Sequence, residues 1–396
     1  MNRIPFSRPS IGDHEVEAVA AVLRSGWLTT GEQALAFETE FASLLDVPHA
    51  LAVNSATAGL HLALEAVGVR PGDRVIVPSM TFTATAEVVR YLGAEVVFAD
   101  LESGGLLIDP RDADRRATEI VRAGHRVAAI VPVHLAGEPC DMLRLREVAR
   151  RHGAALVEDS AHAFPSHTSA GYAGTLGDVG VFSFYANKTI TTGEGGMVVT
   201  RREDIADRVR TMRSHGIDRQ AWHRYSAQAL DTAADAPPPW YYQVVEAGYK
   251  YNMPDTAAAL GRVQLQRAFE LLKWRRHWAL RYRDRLRSLE STGAISLPSD
   301  AEGHAWHLFV LRIHGMPRDR FITAMAERHI GCSVHYIPLH RMPYWRDRYP
   351  EQTDGLPNTD RAFSQVVSIP LYPDLSEADH DRVIEAVSAL LEDRRG

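Results

Sequence analysis

Lys188 is the residue of this chain whose surroundings best suit covalent chemistry. It follows an apolar run that contains Val179, Val181 and Phe182, and it precedes a glycine-rich turn and a second strand at Met197–Thr200. A lysine between two buried strands lies near the core, where desolvation lowers the pKa of its amine toward that of a usable nucleophile. A lysine that forms a Schiff base requires this property. The alternative is a surface lysine in a hairpin, which is the commoner situation for a single lysine.

Asp159 is a second candidate, in the stretch VEDSAHAF that follows an apolar strand predicted at Ala154–Val157. A carboxylate at the C-terminal end of a parallel strand faces the ligand crevice of an open α/β sheet. Opposite a pyridine nitrogen, such a carboxylate keeps the nitrogen protonated, and the ring then withdraws electrons. The alternative is a helix N-cap, and the two roles are compatible.

A third candidate site precedes a helix that is predicted to begin at Ala58. Ser55, Ala56 and Thr57 follow a strand at Ala50–Val53 and offer backbone N–H groups and a hydroxyl at the helix N-terminus. That arrangement binds phosphate, although an ordinary capped helix has the same sequence features. A phosphate cradle, an acid and a lysine in this order, each at a strand end, are together specific for an aldehyde cofactor that carries a phosphate, which is pyridoxal phosphate (PLP).

The elements that must position these residues alternate between strands and helices from about residue 50. Alternation of β-branched strands with helices is typical of a mostly parallel sheet covered on both faces. After Asp178 the pattern changes to two close strands around Lys188, which a mixed sheet accommodates. The predicted strands are Ala50–Val53, Val75–Val77, Val96–Phe98, Val127–Val133 and Ala154–Val157. The predicted helices are Ala58–Val67, Thr83–Leu92, Arg111–Ala123 and Met142–Arg151.

The C-terminal part is predicted to form a smaller α+β domain. One long helix is predicted from Asp255 to about Leu289, and the boundary within it divides the chain into domains at 1–262 and 263–396. The elements predicted for the small domain include strands at Trp306–Ile313 and Ser333–Tyr336 and a final helix at about Ser376–Leu391.

Residues 216–243 form a long irregular segment, and such segments inside a compact domain are usually functional or disordered. We expect a mobile loop that borders the active site or a partner subunit. Its Arg219 and Arg224 are candidates for binding a diphosphate, because guanidinium pairs bidentately with phosphate.

Composition limits the class of protein. A chain of 396 residues favours two domains, and 45% hydrophobic with 24% charged residues is ordinary for a globular protein. The net charge of −6 gives no general attraction to nucleic acid. The two cysteines, Cys140 and Cys332, predict no metal cluster and fit the reducing cytoplasm. No run approaches the roughly 20 apolar residues that a membrane span needs.

Motifs along nearly the whole chain make it resemble the sugar aminotransferases of the DegT/DnrJ/EryC1/StrS family, a branch of the type I PLP-dependent aminotransferases. They are PFSRP (5–9), SGWLTTG (25–31), PSMTFTATA (78–86), PVHLAGEPCDM (132–142), GYKYNMPDTAAALGRVQLQ (248–266), HAWHLF (304–309), SVHYIPLH (333–340) and SIPLYPDLSEADHDRVIEAV (368–387). The resemblance implies a large three-layer α/β/α domain with a mostly parallel sheet and a smaller C-terminal α+β domain. Within the family the chain is most similar to ArnB-type enzymes, which aminate C4 of a UDP-linked 4-keto pentose.

The resemblance also implies a role for each candidate residue. Lys188 would carry PLP as a Schiff base and move protons, and Asp159 would pair with the ring nitrogen. The other residues implied to bind the cofactor are Ala56, Thr57, Phe82, His162, Ser183 and Asn252. Of these, Asn252 would reach the phosphate from the other subunit, so the functional unit would be at least a homodimer with shared active sites. The residues implied to line the sugar-nucleotide cleft are Trp27, Thr29, His215, His335 and Tyr336.

Several of these residues have ordinary structural alternatives. Phe82 could pack in the core, and His162 could be a polar residue beside a turn. Asn252 could be a turn residue that precedes a proline, and His335 and Tyr336 could be strand residues that touch no ligand.

The implied reaction moves an amino group from L-glutamate to the keto carbon, C4 on the ArnB pattern, of a UDP- or dTDP-linked keto sugar. The products are an amino sugar nucleotide and 2-oxoglutarate. The alternatives are a PLP-dependent sugar dehydratase, a keto-cyclitol aminotransferase and a PLP-binding regulatory protein. Lys188 disfavours the dehydratase, in which histidine replaces this lysine, and the acidic balance disfavours a regulator that binds DNA.

Overall fold

A computed structural model describes residues 2–217 and 242–392 of the chain. Most of the irregular segment predicted at 216–243 lies outside these residues, and so do Arg219 and Arg224. The strands are β1 (His49–Val53), β2 (Arg74–Pro78), β3 (Glu95–Ala99), β4 (Val127–Ile130), β5 (Ala155–Asp159), β6 (His167–Thr168), β7 (Gly171–Tyr172), β8 (Val179–Ser183), β9 (Gly196–Thr200), β10 (Ile295–Ser296), β11 (Phe309–Ile313) and β12 (Val366–Ile369).

Helices precede, alternate with and follow these strands. The first seven are α1 (Asp13–Ser25), α2 (Glu32–Leu45), α3 (Ala56–Ala66), α4 (Ala84–Tyr91), α5 (Pro110–Arg122), α6 (Met142–His152) and α7 (Glu203–Met212). After residue 242 come α8 (Asp255–Gln266), α9 (Ala268–Arg285), α10 (Arg287–Ser291), α11 (Arg318–Glu327), α12 (Pro343–Arg348), α13 (Pro357–Gln365) and α14 (Glu377–Glu392). Within the described ranges, no helix is both long enough and apolar enough to cross a membrane.

The large sheet has seven strands in the order β1-β9-β8-β5-β4-β2-β3. Neighbouring strands from β8 to β3 pair in parallel, whereas β9 is antiparallel to both β1 and β8. The predicted mostly parallel sheet and the predicted change of pattern after Asp178 are therefore confirmed. Every residue of β8 and β9 is buried, as expected for strands covered on both faces.

Helices cover both faces of this sheet. Val181 of β8 packs with Leu62 of α3 in one core cluster. The next residue, Phe182, packs with Phe37 and Phe41 of α2 in another cluster. Because successive side chains of a strand point to opposite faces, the two clusters lie on opposite sides of the sheet. The α/β/α layering implied by the sequence follows from this alternation.

The small sheet has the order β10-β11-β12, and its strands pair antiparallel. The strand predicted at Trp306–Ile313 begins only at Phe309, because Trp306 has a positive φ of 49° that a strand does not accommodate. The strand predicted at Ser333–Tyr336 is wrong. Only Ser333 pairs, in an isolated bridge to Ser368, because the chain then leaves β12 to reach the end of β2.

Two predictions about helices also need correction. The single helix predicted from Asp255 to Leu289 is three helices, α8, α9 and α10, with breaks at Arg267 and Leu286. The helices α1 and α2 were not predicted. The apolar residues that α2 buries are Ala34, Phe37, Phe41 and Leu45, and this spacing is typical of one helix face. The domain boundary at residue 262 stays a prediction.

Candidate active site

The candidate residues meet where the parallel strands of the large sheet end. Ser55–Thr57 follow β1, Asp159 ends β5, Lys188 follows β8 and Phe82 follows β2. These four strands run in the same direction, so their C-terminal ends lie at one edge of the sheet. Ligands of open α/β sheets bind at this edge.

Lys188 is partly buried in the loop between β8 and β9. Its backbone N–H donates to the carbonyl oxygen of Tyr185 (2.9 Å), which closes a turn around it. Burial lowers the pKa of the Lys188 amine to about 7; the Asp159 carboxylate opposes this change and the Arg275 guanidinium adds to it. About half of the amine is therefore neutral at pH 7, and the neutral form is the nucleophile.

Asp159 is a buried carboxylate with defined hydrogen bonds. Its Oδ2 accepts from the Thr85 hydroxyl (2.8 Å), and its Oδ1 accepts from the Ala161 N–H (3.1 Å). Burial raises the pKa of Asp159, and these hydrogen bonds and Lys188 oppose that rise. The segment after Asp159 forms turns and not a helix, so the helix N-cap alternative is wrong. Thr85 was not predicted, although it lies in the motif PSMTFTATA.

The first turn of α3 begins at Ala56, two residues earlier than predicted. Ser55 is its N-cap, and the Ser55 hydroxyl oxygen accepts a hydrogen bond from the Ala58 N–H (3.1 Å). The amides of Ala56 and Thr57 precede the point at which intrahelical hydrogen bonding starts, so they can donate to a ligand. This geometry provides the N–H groups that a phosphate requires.

Gly196 lets two strands and this helix approach one another closely. It pairs in register with Val53 of β1 on one side and with Ser183 of β8 on the other. A Cβ atom at position 196 would lie 2.8 Å from the Ala56 nitrogen, so a side chain there would displace the helix N-terminus. The three residues predicted to bind phosphate, Ala56, Thr57 and Ser183, are thereby brought together.

His162 and Tyr336 form a hydrogen-bonded pair in the same region. The Ala136 N–H donates to His162 Nδ1 (3.3 Å), so the proton of the neutral ring is on Nε2, which lies 3.1 Å from Tyr336 Oη. Burial holds the pKa of His162 well below its usual value. The Phe82 ring lies 5.9 Å from the Tyr336 ring and is 57% exposed, so Phe82 does not pack in the core.

His335 and two residues that were not predicted complete this group. His335 Nδ1 lies 2.8 Å from the Ser368 hydroxyl, and burial lowers the pKa of His335 to about 4. The His307 ring lies 4.3 Å from the His162 ring, and Arg275 Nη1 donates to the His307 carbonyl oxygen (3.1 Å). His307 occurs in the motif HAWHLF, whereas no spacing distinguishes Arg275 from the other arginines of its helix.

The remaining predicted residues lie in a second group. Asn252 forms an isolated bridge with Val53, and its carboxamide donates to the Thr30 hydroxyl (2.5 Å) of its own chain. Trp27, Thr29 and His215 also belong to this group. The Trp27 indole N–H donates to the Thr30 carbonyl oxygen, and the Asp255 N–H donates to the Thr29 carbonyl oxygen. The His215 N–H donates to the Tyr249 carbonyl oxygen. Across the described residues, no hydrogen bond or ring contact joins this group to Lys188, and its ligand roles stay predictions.

The residues at the sheet edge fit PLP. The Lys188 amine, whose pKa is about 7, suits an aldehyde, and the buried Asp159 carboxylate suits a protonated pyridine nitrogen. The amides of α3 and the close approach at Gly196 suit a phosphate. The exposed Phe82 ring offers an aromatic face at the same edge.

Comparison with known proteins supports the same conclusion. The model of the DegT/DnrJ/EryC1/StrS aminotransferase family matches residues 9–388. The Bacillus subtilis spore coat polysaccharide biosynthesis protein SpsC is 41% identical over 389 residues, which cover 97% of this chain and 96% of SpsC.

Two solved structures share the whole fold. A Streptococcus pneumoniae protein described as a sugar aminotransferase, in its PMP form, has a TM-score of 0.86 and 28% identity, with 99% of this chain and 98% of that chain covered. Helicobacter pylori PseC, an aminotransferase involved in the biosynthesis of pseudoaminic acid, has a TM-score of 0.86 and 25% identity, with 99% of this chain and 100% of PseC covered.

Proposed function

The chain belongs to the DegT/DnrJ/EryC1/StrS aminotransferase family and is a PLP-dependent aminotransferase, and from this premise we propose that it aminates a nucleotide-linked keto sugar. The proposed donor is L-glutamate, and the proposed acceptor carbon is C4 of a UDP- or dTDP-linked sugar. The observation that carries the proposal is that a Lys188 amine with a pKa of about 7 and a buried Asp159 carboxylate lie at one sheet edge.

Each residue of the site has a defined task in this proposal. PLP supplies an aldehyde that accepts amino groups and a ring that withdraws electrons from the reacting carbon. Lys188 holds the cofactor and, once released, moves the proton at Cα of the donor, which requires a neutral amine near neutral pH. Asp159 keeps the ring nitrogen protonated. The α3 amides, with Ser183, hold the phosphate so that the ring cannot shift during the reaction.

His162 and Tyr336 are proposed to orient the reactants above the ring. His162 is neutral and donates its Nε2 proton to Tyr336, so the Tyr336 hydroxyl proton remains available to another acceptor. A ketone oxygen of the acceptor sugar is such an acceptor. Phe82 is proposed to stack on the ring, which its exposed position beside Tyr336 supports.

The acceptor is proposed to be a sugar because the names of two relatives refer to carbohydrate biosynthesis. SpsC is a polysaccharide biosynthesis protein, and PseC is involved in making pseudoaminic acid. With a net charge of −6, the chain has no general attraction for an anionic nucleotide, so local contacts must bind it. Trp27, Thr29 and His215 are proposed for this role.

The similarity to ArnB-type enzymes stays a prediction. The cytoplasmic location also stays a prediction, which the free thiols of Cys140 and Cys332 fit.

A panel of acceptors tests the proposed reaction. The PLP-loaded protein is incubated with ¹⁵N-labelled L-glutamate and UDP- or dTDP-linked 4-keto and 3-keto sugars, with a keto-cyclitol alongside. We expect mass spectrometry to find ¹⁵N in one amino sugar nucleotide, with 2-oxoglutarate formed in equal amount. Transfer to the keto-cyclitol alone, or loss of water from a sugar without gain of ¹⁵N, would contradict the proposal.

The functional unit is proposed to be a homodimer that shares its active sites through Asn252. Six large apolar side chains near the N-terminus are more than 40% exposed, which marks a surface for another protein. They are Ile11 (45%), Val16 (61%), Leu23 (57%), Trp27 (57%), Leu28 (48%) and Leu35 (58%). Trp27 also contacts Thr30, which accepts from Asn252, so this surface is continuous with the Asn252 segment.

Complementation between two inactive chains tests the shared site. Lys188→Ala and Asn252→Asp are co-expressed with different tags, and the mixed dimer is purified. If Asn252 serves the site of the other subunit, one of the two sites in each mixed dimer is intact, and we expect roughly half of the wild-type activity. Activity no higher than that of the Asn252→Asp homodimer would show that Asn252 does not act across the interface.

A further inference from the structure

Arg275, on α9, is a buried cation without a carboxylate partner. Its side chain is 2% exposed, and its Nη1 donates to the carbonyl oxygens of His307 and Leu371, both at 3.1 Å. Its Nε is buried without a hydrogen-bond partner, and no carboxylate in the described part of the chain forms an ion pair with it. Burying an unpaired charge is costly, so a neutral residue would be expected here unless the charge has a use.

The other arginines on this helical stretch show what is usual for it. Six of them, from α8 to α10, form ion pairs with carboxylates, and all six are more exposed to solvent than Arg275. The pairs are Arg262–Glu40, Arg267–Glu15, Arg276–Asp300, Arg281–Asp381, Arg285–Asp381 and Arg287–Asp284. Arg275 is the most deeply buried of these guanidinium groups and lacks such a partner, whereas Arg283, which donates to the Pro298 carbonyl oxygen, is only partly buried.

The location of Arg275 connects it to the reactive lysine. The two residues whose carbonyls it holds, His307 and Leu371, line a narrow cavity together with Asn187, which directly precedes Lys188. Arg275 is not one of the lining residues and is buried, so it lies behind this wall. It can therefore influence the Lys188 amine through its electric field, but not by contact with a substrate.

In residues 2–217 and 242–392, few charged groups act on the amine of Lys188. The Asp159 carboxylate favours the protonated amine. The imidazoles of His162, His307 and His335 are neutral, since burial holds the pKa of each well below neutral pH. Burial also lowers the pKa of the guanidinium on α9, to about 10, which leaves it charged at neutral pH. Among the described residues, this guanidinium is thus the fixed positive charge that opposes Asp159.

We propose that Arg275 is a positioning residue whose uncompensated charge, fixed behind the cavity wall, opposes Asp159 and so, together with burial, favours the neutral, nucleophilic form of the Lys188 amine. A carboxylate partner would cancel this field, which accounts for its absence. A purely structural role would need only the two hydrogen bonds to main-chain carbonyls, and a neutral donor can make these as well. The inference rests on the proposed role of Lys188 as the reactive amine.

The test compares Arg275→Gln with Arg275→Lys in protein loaded with pyridoxamine phosphate, the aminated cofactor that leaves Lys188 free. Trace acetic anhydride is added across a range of pH, and mass spectrometry follows acetylation of Lys188, with the exposed Lys273 as internal reference. The midpoint is the pH at which the rate of Lys188 acetylation reaches half of its maximum. Loss of the charge in Arg275→Gln is expected to raise this midpoint by about one pH unit. At one pH unit below the wild-type midpoint, acetylation should then be several-fold slower than in wild type. The buried amine of Arg275→Lys can itself lose its proton, so its midpoint should lie between those of wild type and Arg275→Gln.

Arg276→Gln is the matched control, because Arg276 is the exposed neighbour that pairs with Asp300; its midpoint should equal that of wild type. Melting temperatures of all variants distinguish an effect of the lost charge on Lys188 from an effect of reduced stability. A Gln variant that melts at a lower temperature but keeps the wild-type midpoint would overturn the proposal, and Arg275→Met replaces it if the Gln variant does not fold. The readout does not involve transamination, so a protein that aminates no sugar but shows the shift contradicts the proposed function and supports the role of Arg275.

Discussion

Replacing Lys188 with alanine is expected to abolish sugar amination while the protein stays folded. The substitution removes the amine that holds the cofactor and moves the proton at the reacting carbon. A positioned general acid–base group alone contributes about 10²–10⁴-fold, and the loss of covalent attachment adds to this. Because Lys188 lies in a partly buried loop and not in a core cluster, we expect little change in melting temperature.

Two measurements check this prediction. The visible absorbance of bound PLP should disappear on dialysis from Lys188→Ala but not from Lys273→Ala, a control that removes an exposed lysine on α9. Amination, followed by mass spectrometry, should fall below the limit of detection and recover in part when a small primary amine is added. Retention of both the absorbance and the amination by Lys188→Ala would remove this lysine from the mechanism.

Asp159→Asn is expected to retain cofactor but lose most of the rate. Asparagine has nearly the same shape, and its oxygen can still accept from the Ala161 N–H, so the local structure should persist. The negative charge is lost, however, and the ring nitrogen is no longer held protonated. Loss of one preorganised electrostatic contact at a reacting group costs about 10²–10³-fold in kcat, and we expect a reduction of that order.

Thr85→Val is the matched control for this experiment. It removes the 2.8 Å hydrogen bond to Asp159 and leaves the carboxylate in place. That hydrogen bond lowers the pKa of Asp159, so its loss should raise the pKa further, and the decrease in rate should be greatest at low pH, where the carboxylate becomes protonated. Single-turnover rates of both variants across pH are the measurement. A rate for Asp159→Asn equal to that of wild type would exclude the proposed pairing with the ring.

The sequence was most informative where the signal is local. Strands such as β2 and β5 lie within two residues of their predicted bounds, because β-branched runs and the turns that end them are short-range features. The helix α2 could have been predicted in the same way, from the spacing of Phe37, Phe41 and Leu45. Helix ends were less predictable: α9 begins after a break at Arg267 that has no glycine or proline to signal it.

The error at Ser333–Tyr336 has a physical cause. The residues are suited to a strand, but a strand needs a neighbour along its whole length. Beyond the bridge to Ser368, this segment turns toward β2, where the Leu339 N–H donates to the Ser79 carbonyl (2.8 Å) and His340 Nδ1 lies 2.7 Å from the Ser79 hydroxyl. These partners are far apart in sequence, so local pattern does not reveal them.

By itself the sequence determined the kind of chemistry: a lysine, an acid and a helix N-terminus, each at the end of a strand, because backbone periodicity and residue type are local properties. The tertiary structure alone decided how these groups behave. It placed Thr85 against Asp159, Tyr336 against His162, and Arg275 behind the cavity wall near Lys188. The pKa of a side chain depends on burial and on charges brought near it by folding, and those distances are absent from the order of residues along the chain.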